Sequence, residues 1–369
     1  MTKILLTGNE AMGRAAIEAG CLFYAGYPIT PQNELTAYMA AHMPRAGRTF
    51  IQAESEIAAI NMLFGASAAG ARVMTSSSSP GISLKQEGIS YLAGCQLPAV
   101  IINVMRVGPG LGFITPAQGD YFQATKGGGH GDYHLIVLAP SNVEEAGELV
   151  KRAFDLADKY RNPVMILADA IIGQMMEPVT VHSPQSVVHR EKQKNLSTLD
   201  YGLSNKKWAV TGCKDREPNV ICSLFMDKEE MVRHVLSLQK KYKQVEDSEQ
   251  DWEEENLDDA EVILVAYGAV ARIAREAMKE AGPKGIKVGM IRPISLWPFP
   301  KKAFRGLSAK TRNLLVIEMS TGQMIEDVQL AIGKAIAVDF YGTVGGQIPQ
   351  SPEILGKIEK IIKNGKPIS

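Results

Sequence analysis

The chain has 369 residues, 45% hydrophobic and 22% charged, which is enough apolar content for a sizeable core and too much length for one average domain. Lys and Arg number 40 and so do Asp and Glu, so the formal net charge is zero, which argues against a nucleic-acid or anionic-membrane binder. The four cysteines (Cys21, Cys95, Cys213, Cys222) are scattered and form no CxxC, which excludes a disulfide framework and any visible zinc or iron–sulfur ligand set.

At the start, Lys3–Leu6 reads as a short strand, and the apolar stretch Ile4–Thr7 is too short for a signal peptide. Asn9 is positioned to cap a helix running to Glu18, which Gly20 ends. Cys21–Ala25 is a second short apolar run, stopped by Gly26-Tyr27-Pro28. Glu56–Ala71 is Ala-rich with Ile57, Ile60, Leu63 and Phe64 at helical spacing, and predicts a buried helix in which Gly65 and Gly70 mark tight packing or the end. Arg72–Thr75 predicts a strand running into a loop at Ser76–Gly81. Ala99–Val104, Leu135–Leu138 and Val164–Ala168 are continuous apolar runs, the pattern of strands buried on both faces of a parallel sheet. Val143–Lys159 is an amphipathic helix between the last two. Residues 1–178 thus predict one doubly wound α/β block.

Residues 179–258 are rich in Lys, Gln, Ser and Asn and read as an extended connector with a helix near Lys228–Tyr242. The acidic run Asp251–Glu255 closes it and reads as a solvated face or linker end. Residues 259–369 form a second α/β block: strands at Val262–Tyr267, Ile286–Ile291 and Leu314–Glu318, and helices at Val270–Glu280 and Gly322–Ala337. No apolar run approaches the roughly 18 residues of a membrane span, so a soluble cytoplasmic protein is expected.

No nucleotide motif stands out. Gly8…Gly13-Arg14 lacks the Lys-Ser/Thr of a P-loop, and Gly108-Pro109-Gly110-Leu111-Gly112 has the wrong spacing for GxGxxG. Gly127-Gly128-Gly129 is unspecific. His130 and His134 have the spacing of a helical metal pair, but Gly131 argues against a helix and no third ligand is near. Glu54 and Glu56 open an otherwise apolar helix. Either both simply complement its dipole, or one is held at a cleft for proton transfer.

Gly26-Tyr27-Pro28-Ile29-Thr30-Pro31 resembles the YPITP signature of the 2-oxoacid:ferredoxin oxidoreductases. Glu56 followed by Gly65 resembles the start of the key helix of thiamine-diphosphate enzymes, and Ile101–Met105 with Arg106 is similar to that family's strand-end arginine. Ile291-Arg292-Pro293-Ile294 through Trp297-Pro298-Phe299-Pro300 resembles a transketolase C-terminal-like domain. Thr75–Gly81, Val316–Ser320, Gly322-Gln323-Met324 and Phe340-Tyr341-Gly342 look most like the α-type subunit of the branched-chain members, although Thr343 stands where an arginine follows Phe-Tyr-Gly in the resembled pattern. The resemblance spans 1–178 and 259–369.

The resemblance implies a pyrimidine-binding thiamine-diphosphate domain joined to a transketolase C-terminal-like α/β domain. It implies oxidative decarboxylation of a 2-oxoacid with coenzyme A to acyl-CoA, CO2 and reduced ferredoxin, with branched-chain 2-oxoisovalerate as substrate and 2-oxoglutarate, pyruvate or an aryl pyruvate as alternatives. A carboxyl is needed beside N1′ of the aminopyrimidine, and Glu56 has the matching position, with Glu54 as fallback. Tyr27, Pro28, Ile29 and Thr30 fall in the cofactor-binding loop, with Thr30 as a hydrogen-bonding partner. Arg106 offers a planar fork for the substrate's carboxylate, though alone it reads equally as a surface ion pair. The sequence lacks a Gly-Asp-Gly…Asn magnesium motif and cluster cysteines, so Mg²⁺ and [4Fe–4S] clusters are expected on partners: a β subunit, a γ subunit and a ferredoxin-like δ subunit. A non-catalytic scaffold would have lost Glu56, Thr30 or Arg106; all are present.

Overall fold

The computed structural model describes residues 2–181, 206–307, 311–334 and 336–364, so 182–205 of the expected connector lies outside the described residues. The chain opens with β1 (Thr2–Thr7) and α1 (Gly8–Glu18). Thr7, not Asn9, caps α1: its hydroxyl accepts from Glu10 N while the Glu10 carboxylate accepts from Thr7 N, a reciprocal capping box. Asn9 lies one residue inside and has another job. Its amide donates to Pro31 O (2.9 Å) and to the Glu34 carboxylate (2.9 Å), tying α1 to the loop after the next strand.

The main sheet takes β2 (Phe23–Gly26), β3 (Thr49–Gln52), β4 (Val73–Ser77), β5 (Ala99–Val107), β7 (Ile136–Leu138) and β8 (Pro163–Asp169), all parallel in the order β7-β8-β5-β4-β2-β3. The apolar runs of β5 and β8 are buried on both faces, as continuous Ile/Val runs require. β6 (Phe113–Pro116) folds back antiparallel on the end of β5. Helices α2 (Asn33–His42), α3 (Glu56–Ala68), α4 (Ser79–Gly94), α5 (Tyr121–Thr125), α6 (Val143–Tyr160) and α7 (Ala170–Gln174) connect these strands, and β9 (Met176–Val181) returns to pair with β1.

The sequence reading left α2 and β3 unassigned and took Ser76–Gly81 for a loop. That stretch is the end of β4 and the first turn of α4, with Pro80 at a helix start where its missing N–H costs nothing. α3 is not wholly buried, since Ile57 and Met62 are exposed, and a Cβ at Gly65 would meet nothing, so that glycine marks no tight contact.

α8 (Lys228–Ser248) lays Leu238, Tyr242 and Val245 into the main core. The acidic run is β10 (Trp252–Glu255), an edge strand of the second sheet rather than a linker end. Its Glu253 and Glu255 are ion-paired with Arg275, and Glu253 also with Arg292, which is why acidic residues tolerate this edge. The second sheet runs β10-β12-β11-β14-β15, with β11 (Val262–Val265), β12 (Val288–Pro293), β14 (Asn313–Glu318) and β15 (Ala337–Gly342) parallel. It is flanked by α9 (Gly268–Ala281), α10 (Met324–Ile332) and α11 (Ser351–Asn364). The expected helix to Ala337 stops at Ile332 before Gly333, and Ala337 begins β15 instead.

The two blocks are bolted together. β13 (Ser295–Trp297) leaves the second block and pairs antiparallel with β7 of the first. Arg292, 1% exposed, binds Glu145 on α6 (2.7 Å) and Glu253 on β10 (2.8 Å). Gln118 bridges Tyr267 O (3.0 Å) and Met319 N (3.0 Å), and the Tyr121 hydroxyl donates to Asp327 (2.6 Å). His134 belongs to this seam. Its ring stacks on Trp297 at 4.5 Å, while the His130 ring meets Tyr91 edge-on at 6.4 Å, so each histidine has an aromatic packing partner.

Candidate active site

β5, β4 and β2 lie side by side, and in parallel α/β sheets ligands bind in the crevice beyond the carboxyl ends of the strands. Here β2 delivers the loop Tyr27–Pro31, β4 delivers Ser77 and Ser78, and β5 delivers Arg106.

Glu56 is the first residue of α3, fixed there because the Ser55 hydroxyl caps the helix by accepting from Ala58 N (3.1 Å). Its side chain is buried (6% exposed) while Glu54 is exposed, which separates the two candidate carboxylates. The first turn of α4 lies directly against it. A Cβ at Gly81 would stand 2.6 Å from Glu56 Oε1 and collide with Ser77 Oγ. Gly81→Ala is therefore expected to destabilise the chain by about 1–3 kcal/mol through overpacking, although alanine favours helix, and to weaken cofactor binding. Thermal melting and cofactor titration of the assembled complex check this, and a variant as stable as the wild type would show that the turn can give way.

Arg106 is buried too (7% exposed), so it is not a surface ion pair. Its guanidinium donates from Nη1 to Thr30 O (2.9 Å) and from Nη2 to Leu111 O (2.9 Å), and its Nε has no partner. The Arg106 main chain is held by Ser79, whose hydroxyl accepts from Arg106 N (3.0 Å) and donates to Asp120 (2.6 Å). Asp120 also accepts from Asn103 (2.9 Å); burial raises its carboxyl pKa above the ordinary value, and these two bonds offset only part of that rise. Thus one turn of α4 touches both candidates, through Gly81 to Glu56 and through Ser79 to Arg106.

Thr30 is half-buried and its hydroxyl accepts from Asn33 (3.2 Å); Pro31 is buried, Ile29 half-buried, and Tyr27 and Pro28 are exposed. The structure therefore joins Thr30 and Arg106 by a direct hydrogen bond and puts Glu56 beside the same helix turn. Sequence reasoning missed Ser77, Ser79, Gly81, Asn103 and Asp120. Pro80-Gly81 after a serine run, read as a helix start, would have pointed to the first three.

The Gly108–Gly112 segment is a turn whose Leu111 carbonyl holds Arg106, and the Gly127–Gly129 run packs against Gln86. Beside the turn, between the two blocks, lies a cavity of about 310 Å³ lined by Gly108, Pro109, Asp120, Ser320, Thr343 and Gly346, among others. Ser77 Oγ, Ser78 Oγ, Arg106 Nε and Thr343 Oγ1 are buried without partners. A buried carboxyl beside several unsatisfied polar atoms fits a heteroaromatic cofactor with ring nitrogens to satisfy.

Residues 14–247 match the family of pyruvate flavodoxin/ferredoxin oxidoreductases, thiamine diphosphate-binding, and residues 260–354 match the pyruvate:ferredoxin oxidoreductase core domain II. Ketoisovalerate oxidoreductase subunit VorB of Methanothermobacter thermautotrophicus is 47% identical over 98% of this chain and 98% of its own length. The chain belongs to the 2-oxoacid:ferredoxin oxidoreductases. It is an α-type subunit of that family, part of a multi-subunit oxidoreductase. The 2-oxoglutarate synthase subunit KorA of the same organism is 37% identical over 96% of this chain and 98% of its own. The 2-oxoglutarate:ferredoxin oxidoreductase from Magnetococcus marinus, solved with 2-oxoglutarate, coenzyme A and succinyl-CoA bound, superposes with a TM-score of 0.82 at 27% identity. The match covers 98% of this chain and 65% of that one. Among the described residues no helix of this oxidoreductase subunit is long and apolar enough to cross a membrane.

Proposed function

We propose that this chain supplies the pyrimidine side of a thiamine-diphosphate site in a cytoplasmic complex that oxidises 2-oxoisovalerate with coenzyme A to an acyl-CoA and CO2, passing the electron pair to ferredoxin. Residues 1–178 act as the pyrimidine-binding domain and 259–369 as the transketolase C-terminal-like domain, joined by 179–258, whose α8 packs on the first core and whose β10 edges the second sheet. A β subunit binds the diphosphate and Mg²⁺, a δ subunit carries [4Fe–4S] clusters, and a γ subunit completes the assembly. When bound, thiamine diphosphate supplies a nucleophilic carbon that attacks the 2-oxo group and takes up electrons as CO2 leaves. Glu56 holds and shares the proton at N1′ of the aminopyrimidine. Thr30 and its neighbours Tyr27, Pro28 and Ile29 form the loop against the cofactor, and Arg106, whose Nη1 and Nη2 hold Thr30 O and Leu111 O, anchors that loop and offers its remaining N–H groups to the substrate carboxylate.

The observation that carries this reading is the buried Glu56 carboxyl meeting the α4 turn that also fixes Arg106 on Thr30. The substrate side chain is argued from the cavity beside Arg106. Among the described residues its lining contains no Lys or Arg, and Thr343 is neutral. A second carboxylate, as in 2-oxoglutarate, would be desolvated there without a cation, whereas a branched apolar chain meets no such cost. Co-purification with the partner subunits, then assay of 2-oxoacids with an artificial electron acceptor, tests the proposal. The complex should prefer 2-oxoisovalerate to 2-oxoglutarate, and the isolated chain should be colourless, free of iron and inactive. Turnover by the isolated chain, or a preference for 2-oxoglutarate, would contradict it.

A further inference from the structure

Lys85, on α4 one turn beyond Gly81, is fully buried, with a relative exposure of 0%. Its ammonium donates to the Thr75 hydroxyl (3.1 Å) and, at the edge of bonding distance, to the main-chain carbonyl of Glu56 (3.5 Å). Thr75 in turn donates to Ala25 O (2.7 Å), which leaves its oxygen free to accept. Among the described residues no carboxylate lies within ion-pairing distance of this side chain. An ammonium buried on one hydroxyl and one long carbonyl contact is expensive, and a methionine of similar length would fill the same channel without that cost. A cost of this kind beside a reactive carboxyl asks for a function.

The elements packed most closely against α3 are α4, β2 and β4. Their ionisable groups are Tyr24 on β2 and Lys85, Glu87 and Tyr91 on α4, while β4 has none. The Tyr24 hydroxyl is occupied by Ser76 and Thr36, and Glu87 takes the Tyr91 hydroxyl at the surface. Glu54 on the same loop is exposed, and Arg106 is directed at Thr30 and Leu111. Among the described residues of these elements, Lys85 is therefore the cation beside Glu56, touching its main-chain carbonyl. Burial pushes its ammonium down to about 8, with Glu56 acting in the opposite direction. It is thus charged near neutral pH and loses that charge as the pH rises through about 8. An ammonium attracts negative charge that develops beside it.

We propose that Lys85 is a positioning residue that fixes the start of α3 and uses its charge to bias Glu56 toward handing its proton to the aminopyrimidine. This rests on the thiamine reading of the site. A neutral residue at 85 would leave the proton on Glu56 and slow deprotonation of the cofactor's C2.

The test is Lys85→Met and Lys85→Gln in the assembled complex loaded with thiamine diphosphate. The readouts are C2 hydrogen–deuterium exchange and the circular-dichroism bands of the bound aminopyrimidine tautomers, with Glu56→Gln in parallel. Both Lys85 variants should slow exchange by about tenfold or more, the scale of one pKa step from a nearby opposite charge, and should melt no lower than wild type. Exchange at the wild-type rate in both, with Glu56→Gln slow, would overturn the Lys85 proposal alone. Restoration by Gln but not Met would assign Lys85 a hydrogen bond rather than a charge and also overturn it. Failure of both variants to assemble would reduce Lys85 to a core residue. Unchanged exchange in Glu56→Gln would instead remove the thiamine reading beneath it.

Discussion

Glu56→Gln is expected to leave folding and assembly nearly intact while slowing C2 exchange and turnover by about 10²–10⁴-fold, the usual worth of a general acid–base group. Gln keeps the shape of the side chain and can still hydrogen-bond, but it cannot give up and retake a proton. The geometry sharpens this expectation. Glu56 sits at the cap of α3 with its carboxyl against Gly81 and Ser77, so an isosteric amide fits without strain. Glu54→Gln is the internal control. Glu54 is exposed, and as a helix-terminus charge it should cost at most about 1 kcal/mol of stability and little activity. Loss of C2 exchange in Glu54→Gln, with Glu56→Gln unaffected, would mean that the wrong carboxylate has been placed at the cofactor.

Arg106→Lys should lower kcat/KM by roughly ten- to a hundredfold, about 1.4–2.7 kcal/mol, even though the charge is kept. The fork holds two carbonyls at once, Thr30 O in the loop after β2 and Leu111 O in the turn after β5. A lysine can reach one of them and leaves the other buried carbonyl without its donor. The loop carrying Thr30 and the turn carrying Leu111 then lose their common anchor. The defect should therefore appear in both KM and kcat, in a complex that still assembles. Kinetics indistinguishable from wild type in that complex would remove Arg106 from the site.

The elements that sequence reasoning found are those whose pattern is set by burial on both faces. β5 and β8 are unbroken Ile/Val runs because no face of them meets water, and α6 shows its stripe because Asn142 caps it and one side packs on the sheet. What escaped was short or set by distant partners. β3 and α2 are short, and no residue of β3 and only Leu35, Thr36 and Met39 of α2 are buried, so no clear periodicity marks them. β10 is acidic because its carboxylates answer Arg275 and Arg292, which lie far along the chain. Within the candidate site, Tyr27–Thr30, Glu56 and Arg106 are proposed through their resemblance to a family pattern. Ser79, Gly81 and Lys85 are not, because they sit in a serine-rich stretch that reads as a loop until Pro80 is recognised as a helix start.

β13 carries a consequence for dissecting the protein. Residues 295–297 close the β7 edge of a sheet built otherwise from the first 169 residues. A truncation after the first block would strip that edge bare, leaving a row of unmet backbone donors and acceptors on a short, wholly apolar strand, which is the template for intermolecular strand pairing. Conversely, a nick between the blocks would leave two fragments zipped together by β-sheet hydrogen bonds and the Arg292–Glu145 pair, co-eluting as though the chain were whole.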